Sequence, residues 1–175
     1  MAQSQYFKRC LGNKSFKETQ TGIVELNEAK VSVFTTFAHW IYTKALVAED
    51  GESSIDCEQQ ADREHLIDVY ILANRLDARQ LQVDIFDILA EHWMQSDDLE
   101  HCSSLLHMTK NLPHTSPLVR FCVDIRANSW WEDPAAKEPS DTTALRKLAP
   151  ELLVKMLEMQ AKVRFLEQDD PDSVE

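Results

Sequence analysis

Residues 30–43 read Lys-Val-Ser-Val-Phe-Thr-Thr-Phe-Ala-His-Trp-Ile-Tyr-Thr. Val33, Phe34, Phe37, Trp40 and Ile41 fall at the three- and four-residue steps of one helix face. The spacing predicts a wide-faced, aromatic helix over 30–43 that serves as a core element.

Two further helical stripes follow. Leu66, Val69, Tyr70, Ala73 and Leu76 mark one helix; Leu81, Ile85, Ile88, Leu89 and Trp93 mark the next. Between them, Asp77 with Gln80 three residues on has the spacing of a capping pair. Ahead of them, residues 48–62 are rich in Glu, Asp, Ser and Gln and read as a solvated, mobile loop.

Upstream, Tyr6, Phe7, Cys10 and Leu11 suit a short helix over 4–11 that Gly12-Asn13 ends. Ile23-Val24-Glu25-Leu26, after Gly22, reads as a strand. A lone strand leaves its backbone groups without partners, and Ala45-Leu46-Val47 offers a weak second one. Downstream, Ser96-Asp97-Asp98 signals a helix start for a stripe of Leu99, Cys102, Leu106 and Thr109. Ser116-Pro117 signals another, with Leu118, Phe121, Cys122, Ile125 and Ser129 leading to Trp130-Trp131. The fold class expected is α+β, mostly α. The domain layout expected is a body over 1–95, a helical extension over 96–131, an acidic linker over 132–142, a helix over 143–166 and a disordered acidic tail over 167–175.

Composition narrows the function. The 175 residues hold 3 Gly and 6 Pro, too few for a turn-rich all-β fold or a glycine-rich phosphate loop. The formal charge is -12, from 30 acidic against 18 basic residues. Such a surface repels phosphate backbones and anionic headgroups, so neither nucleic acid nor membrane is expected as a partner. A basic or apolar protein partner is easier to accommodate. No stretch reaches the ~18 apolar residues of a membrane span. The four cysteines, Cys10, Cys57, Cys102 and Cys122, form no C-x-x-C pair. An intracellular setting with free thiols, cytoplasmic or nuclear, is the expectation.

The motifs taken in order carry a resemblance. Ser4-Gln5-Tyr6-Phe7, Phe16-Lys17-Glu18-Thr19, Ile23-Val24-Glu25-Leu26 and Trp40-Ile41-Tyr42-Thr43 together resemble the BTB/POZ domain in the form common in fungal proteins. Leu66 to Leu76 and Leu81 to Trp93 resemble the family's next two helices, and Ser116-Pro117-Leu118-Val119-Arg120 a segment that often follows the domain. The likeness covers about residues 4–93, and 97–131 more loosely. It implies a BTB/POZ-like helical cluster with a small residual sheet and a C-terminal helical extension. Its implied work is protein–protein interaction without catalysis, catalytic residues or cofactors. The family's opening hairpin and first helix, with their F-x-V-H-K-type stretch, are missing before Ser4. The chain is therefore expected to be a truncated form, the alternative being a short form that pairs with another chain, and the family's homodimer is left open because its usual segment is absent. The partner implied is another BTB chain or a cullin, and a nuclear scaffold or transcription co-factor is the further alternative.

Phe16 and Glu18 are the candidate partner-binding residues. In BTB adaptors of cullin-type ubiquitin ligases a motif of this form meets the cullin, an apolar anchor beside a charge that fixes register. Against this stands Phe16 packed under its turn with Glu18 in water. His92, His101, Cys102 and His107 are good zinc ligand types, but their spacing fits no zinc template and no metal is expected. Cys57 lies between Asp56 and Glu58, which oppose a thiolate. No G-x-S-x-G, H-E-x-x-H or P-loop is present. One of Trp130 and Trp131 is expected in the core. Leu152, Met156, Met159 and Val163, with Leu145 and Leu148 leading in, form a stripe expected to dock on its own domain.

Overall fold

In the computed structural model, residues 6–7, 12, 17–24, 26, 29–95, 102–129, 147–148, 150 and 152–158 are described. They are mostly helical: α1 (Lys17–Thr21), α2 (Val31–Thr43), α3 (Gln60–Arg75), α4 (Arg79–Gln95), α5 (Cys102–Asn111) and α6 (Pro117–Ser129), with residues 152–158 also helical. The chain divides into two compact units, Met1–Gln95 and Ser96–Glu175. Among the described residues no helix is long and apolar enough to cross a membrane.

In the first unit α3 is the central element and packs against both α2 and α4. It buries more than the expected stripe, since Ile67, Ile71 and Leu72 join Leu66, Val69, Tyr70, Ala73 and Leu76 out of solvent. A helix covered on two sides is apolar nearly all round. Leu81, Ile85, Leu89 and Trp93 of α4 and Val33, Phe37 and Trp40 of α2 close the core. Phe7 stacks on Phe37 with ring centroids 6.4 Å apart.

The α3–α4 junction is a Schellman turn. Ala78 N–H donates to Ala73 O at 2.9 Å, and Asp77 N–H donates to Asn74 O at 3.2 Å. Asp77 takes the left-handed position (φ 49°), where glycine is usual. The expected Asp77–Gln80 capping pair does not form. Gln80 Nε2 instead reaches forward along α4 to Asp84 Oδ1 at 2.8 Å, and the Asp77 carboxylate meets Arg79 Nε.

Among the described residues the expected strand over 23–26 is absent. Ile23, Val24 and Leu26 are neither helix nor strand, and Ile23 is exposed; Glu25 lies outside the described residues. Val47 pairs with Ser54 in an isolated antiparallel bridge. A short apolar run becomes strand only beside a partner, and among the described residues none lies alongside 23–26.

The stretch 48–59 is not a free loop. Ala48 is buried, Ala48 N–H donates to Ser53 O, and Asp50 Oδ1 accepts the N–H groups of Glu52 and Ser53. Its far end is tied to α3 through Asp62 and Arg63.

In the second unit α5 packs on α6. The buried side chains on α5 are Ser104, Leu105 and Met108, followed by Leu112, so the face sits about one residue from the expected one; Leu106 and Thr109 are half-buried. α6 starts at Pro117 as its sequence predicts, and buries Leu118, Val119, Cys122, Val123 and Ala127, with Phe121 and Ile125 half-buried. Leu148, Leu152 and Met156 are buried, and Lys155 Nζ lies 3.0 Å from Asp124 Oδ1. The expected helix start 96–98, linker 132–142 and tail 167–175, with Leu99, Trp130, Trp131, Leu145, Met159 and Val163, lie outside the described residues.

Candidate functional site

Helix α2 has no acidic or basic residue other than His39 between Val31 and Thr43. Val33, Thr36, Phe37 and Trp40 face the core. On the opposite side, Val31, Phe34, Ala38 and Tyr42 recur at steps of three and four and make a second apolar face. Val31 is 83% exposed, Tyr42 87% and Phe34 39%. Phe34, placed by its spacing on the core stripe, thus turns outward, its ring tilted against Phe37 with centroids 6.0 Å apart.

The buried side fixes this outer face in place. Thr36, fully buried, donates its hydroxyl to Val47 O at 3.2 Å, and its oxygen lies 2.8 Å from His65 Nε2. The set is satisfied when His65 donates to Thr36 and Thr36 donates to Val47, which joins α2, α3 and the Val47 segment. Burial holds the His65 imidazole below its usual titration range, against the pull of Glu49, Asp68 and Asp62. Trp40 Nε1 donates to Asp84 Oδ2 of α4 at 2.8 Å. Lys44, the left-handed residue that ends α2 (φ 63°), sets its ammonium 3.6 Å from the centre of the Trp40 ring.

The loop beside α2 is held from the first turns of α3. Asp62 Oδ2 accepts the N–H of Asp56 at 2.7 Å. Arg63, 3% exposed, donates from Nη1 to Cys57 O at 2.7 Å and to Glu58 O at 3.2 Å, with His92 Nε2 at 3.4 Å. A buried guanidinium has several donors to place, and backbone carbonyls are suitable acceptors.

At its near end the loop touches α2. Ser32 Oγ donates to Glu49 Oε1 at 3.3 Å, and a Cβ built at Gly51 would stand 3.4 Å from Thr35 Cγ2.

Of the two residues singled out from the sequence, Glu18 lies half-buried on α1, where its carbonyl accepts the Gly22 N–H at 2.8 Å; Phe16 lies outside the described residues. Among the described residues no group of three or more His, Cys, Asp or Glu side chains converges as a metal site would require. His92 is buried, its Nδ1 4.0 Å from Glu58 Oε1, while His107 is exposed on α5; His101 and the Cys102 side chain are not described. Burial raises the Cys57 thiol above its usual range, with the charge of Arg63 opposing that shift and the neighbouring carboxylates adding to it.

The outer face of α2 was not among the residues singled out. Its signal is in the sequence: Val31, Ala38 and Tyr42 lie opposite Val33, Phe37 and Trp40, so 30–43 has two apolar faces, with Ser32, Thr35, His39 and Thr43 on one flank between them. Comparison with protein-family models, with curated proteins and with solved structures finds no match to this chain.

Proposed function

We propose that the chain is a protein–protein interaction module of BTB/POZ type that presents the outer face of α2 to a partner. The observation that carries this reading is a core helix with apolar groups on both sides, one side open to water. A scattered exposed apolar residue is ordinary, whereas three along one helix face suit a docking surface. Fully burying a Val, Phe or Tyr-sized side chain contributes about 1.5–3 kcal/mol. Three such anchors, about 4.5–9 kcal/mol together, are of the same order as an association cost of about 4–15 kcal/mol. The expected complex is therefore reversible, with rim contacts deciding its strength. The motifs from Tyr6 to Trp93 support the family assignment; in this reading α2, α3 and α4 form the BTB-like cluster and the Val47–Ser54 bridge stands in for its sheet.

The test uses the full chain carrying Val31→Ser and Tyr42→Ser, both exposed, so melting and far-UV dichroism should stay as in the parent. Partners cross-linked to the parent should be lost from the variant. An identical set of partners in both would remove α2 from the proposal. A cullin among the lost partners would select the ubiquitin-ligase adaptor form of the reading, and a parallel Glu18→Lys variant would ask whether α1 contributes.

A further inference from the structure

The turn beside α2 narrows the chemistry of what α2 can hold. The contacts of Ser32 with Glu49 and of Thr35 with Gly51 set Glu49-Asp50-Gly51-Glu52 along the Ser32–Thr35 flank of α2. Glu49, Asp50 and Glu52 are all exposed. The Ser53 hydroxyl, then the N–H groups of Glu52 and Ser53, hold the Asp50 carboxyl down to about 2. Two cations lie at the ends of the helix, and both are engaged. Lys30 Nζ is 2.8 Å from Asp68 Oδ2, and Lys44 covers the Trp40 ring. The surface is thus an uncharged apolar stripe with a fixed anionic edge along its first half.

We propose that this face binds a basic amphipathic helix of another protein, with apolar anchors against Val31, Phe34 and Tyr42 and Lys or Arg groups against Glu49, Asp50 and Glu52. The inference rests on the interaction-module reading and gives its partner a chemistry. From Val31 to Tyr42 the stripe spans about 16 Å at 1.5 Å per residue, which a partner helix of about three turns matches. A second copy of this chain is the poorer occupant. It would bring another acidic turn to the same rim and another net charge of -12.

The probe is a synthetic helical peptide with leucines at i, i+4, i+7 and i+11 and lysines on the flanks, paired with a control in which glutamates replace the lysines. Binding to the full chain is read by fluorescence anisotropy at low and high salt. The lysine peptide should bind at least tenfold tighter than the glutamate peptide at low salt, with the gap closing as salt screens the rim. Glu49→Lys with Glu52→Lys should reverse that preference. The same charge change on α4, Asp87→Lys with Glu91→Lys, should not. Val31→Ser with Tyr42→Ser should weaken both peptides.

Loss of binding in the stripe variant without any effect of Glu49 and Glu52 would overturn the basic-helix proposal and leave the interaction module standing. Binding indifferent to the stripe variant would overturn both. Failure of the parent to bind either peptide would overturn the proposal, as would concentration-dependent self-association in light scattering that Tyr42→Ser abolishes.

Discussion

Replacing Arg63 with methionine tests how the loop beside α2 is held. The substitution keeps much of the apolar stem and removes the guanidinium that donates to Cys57 O and Glu58 O. Hydrogen bonds to charged groups contribute about 1.5–3 kcal/mol each, and the 2.7 Å bond to Cys57 belongs at the upper end. Against that loss, the variant no longer takes a guanidinium out of water, a relief of several kcal/mol. It also leaves two carbonyls short of a donor, at about 1–3 kcal/mol if they stay buried. The balance is a net loss of about 2 kcal/mol, concentrated in residues 48–59. For a unit of this size that lowers the melting temperature by about 8–16 °C. Locally it speeds amide exchange by about thirtyfold.

The amides to watch are Asp56, whose N–H is held by Asp62, and Gln59, whose N–H is held by Asp56 O. Hydrogen-exchange mass spectrometry of peptides covering 45–62 reads them directly in the full chain. Arg63→Lys keeps the charge but lacks the planar fork, and should fall between the parent and Arg63→Met. Unchanged exchange at Asp56 and Gln59 in Arg63→Met, with a melting shift under about 2 °C, would refute the claim that Arg63 clamps the loop.

Further outcomes follow from the same geometry. Because His65 titrates lower when folded, the folded state binds fewer protons; its contribution is present above the usual imidazole value of about 6.5 and is lost as pH falls through that value toward the folded one. Urea midpoints should therefore drop between pH 7.5 and 5.5, and His65→Gln should flatten that drop; equal slopes would count against a buried neutral His65. Asp50 should titrate near 2 by NMR, and Ser53→Ala should move it up toward the ordinary carboxylate range; no movement would mean that the hydroxyl is not its main support. Leu89→Ala, in the core of the first unit, should cost about 2–5 kcal/mol, whereas Tyr42→Ala should stay within about 0.5 kcal/mol. A Tyr42→Ala loss as large as that of Leu89→Ala would show that the outer face of α2 is covered in solution.

The helices around α3 were legible because long apolar stripes survive any arrangement of neighbours. Leu66 to Leu76 and Leu81 to Trp93 locate α3 and α4 without knowledge of what covers them. The loop over 48–59 was not legible as a pinned element. Its anchors are Asp62, Arg63 and the Thr36–His65 pair, polar residues whose burial leaves no trace in a hydrophobic pattern. The Asp77–Gln80 spacing misled because aspartate, a favoured N-cap residue, also tolerates the left-handed position that ends α3, so its type does not say which turn forms. Strand 23–26 failed because a strand is a property of two chain segments, and residue types report on one. The outer face of α2 lies between these cases. Its apolar residues are plain to read, but a helix with two opposite apolar faces does not say which of them the protein covers.

That uncovered half ties the solubility of the chain to its charge. At neutral pH the formal charge of -12 opposes contact between copies, although each displays Val31, Phe34 and Tyr42 to solvent. The isoelectric point is about 4.9. As the solution is acidified toward that value the repulsion fades while the stripe stays as apolar as before. That face then contributes directly to colloidal stability, and a single Tyr42→Glu exchange, which removes an exposed ring and lowers the isoelectric point, would widen the pH range over which concentrated solutions stay clear.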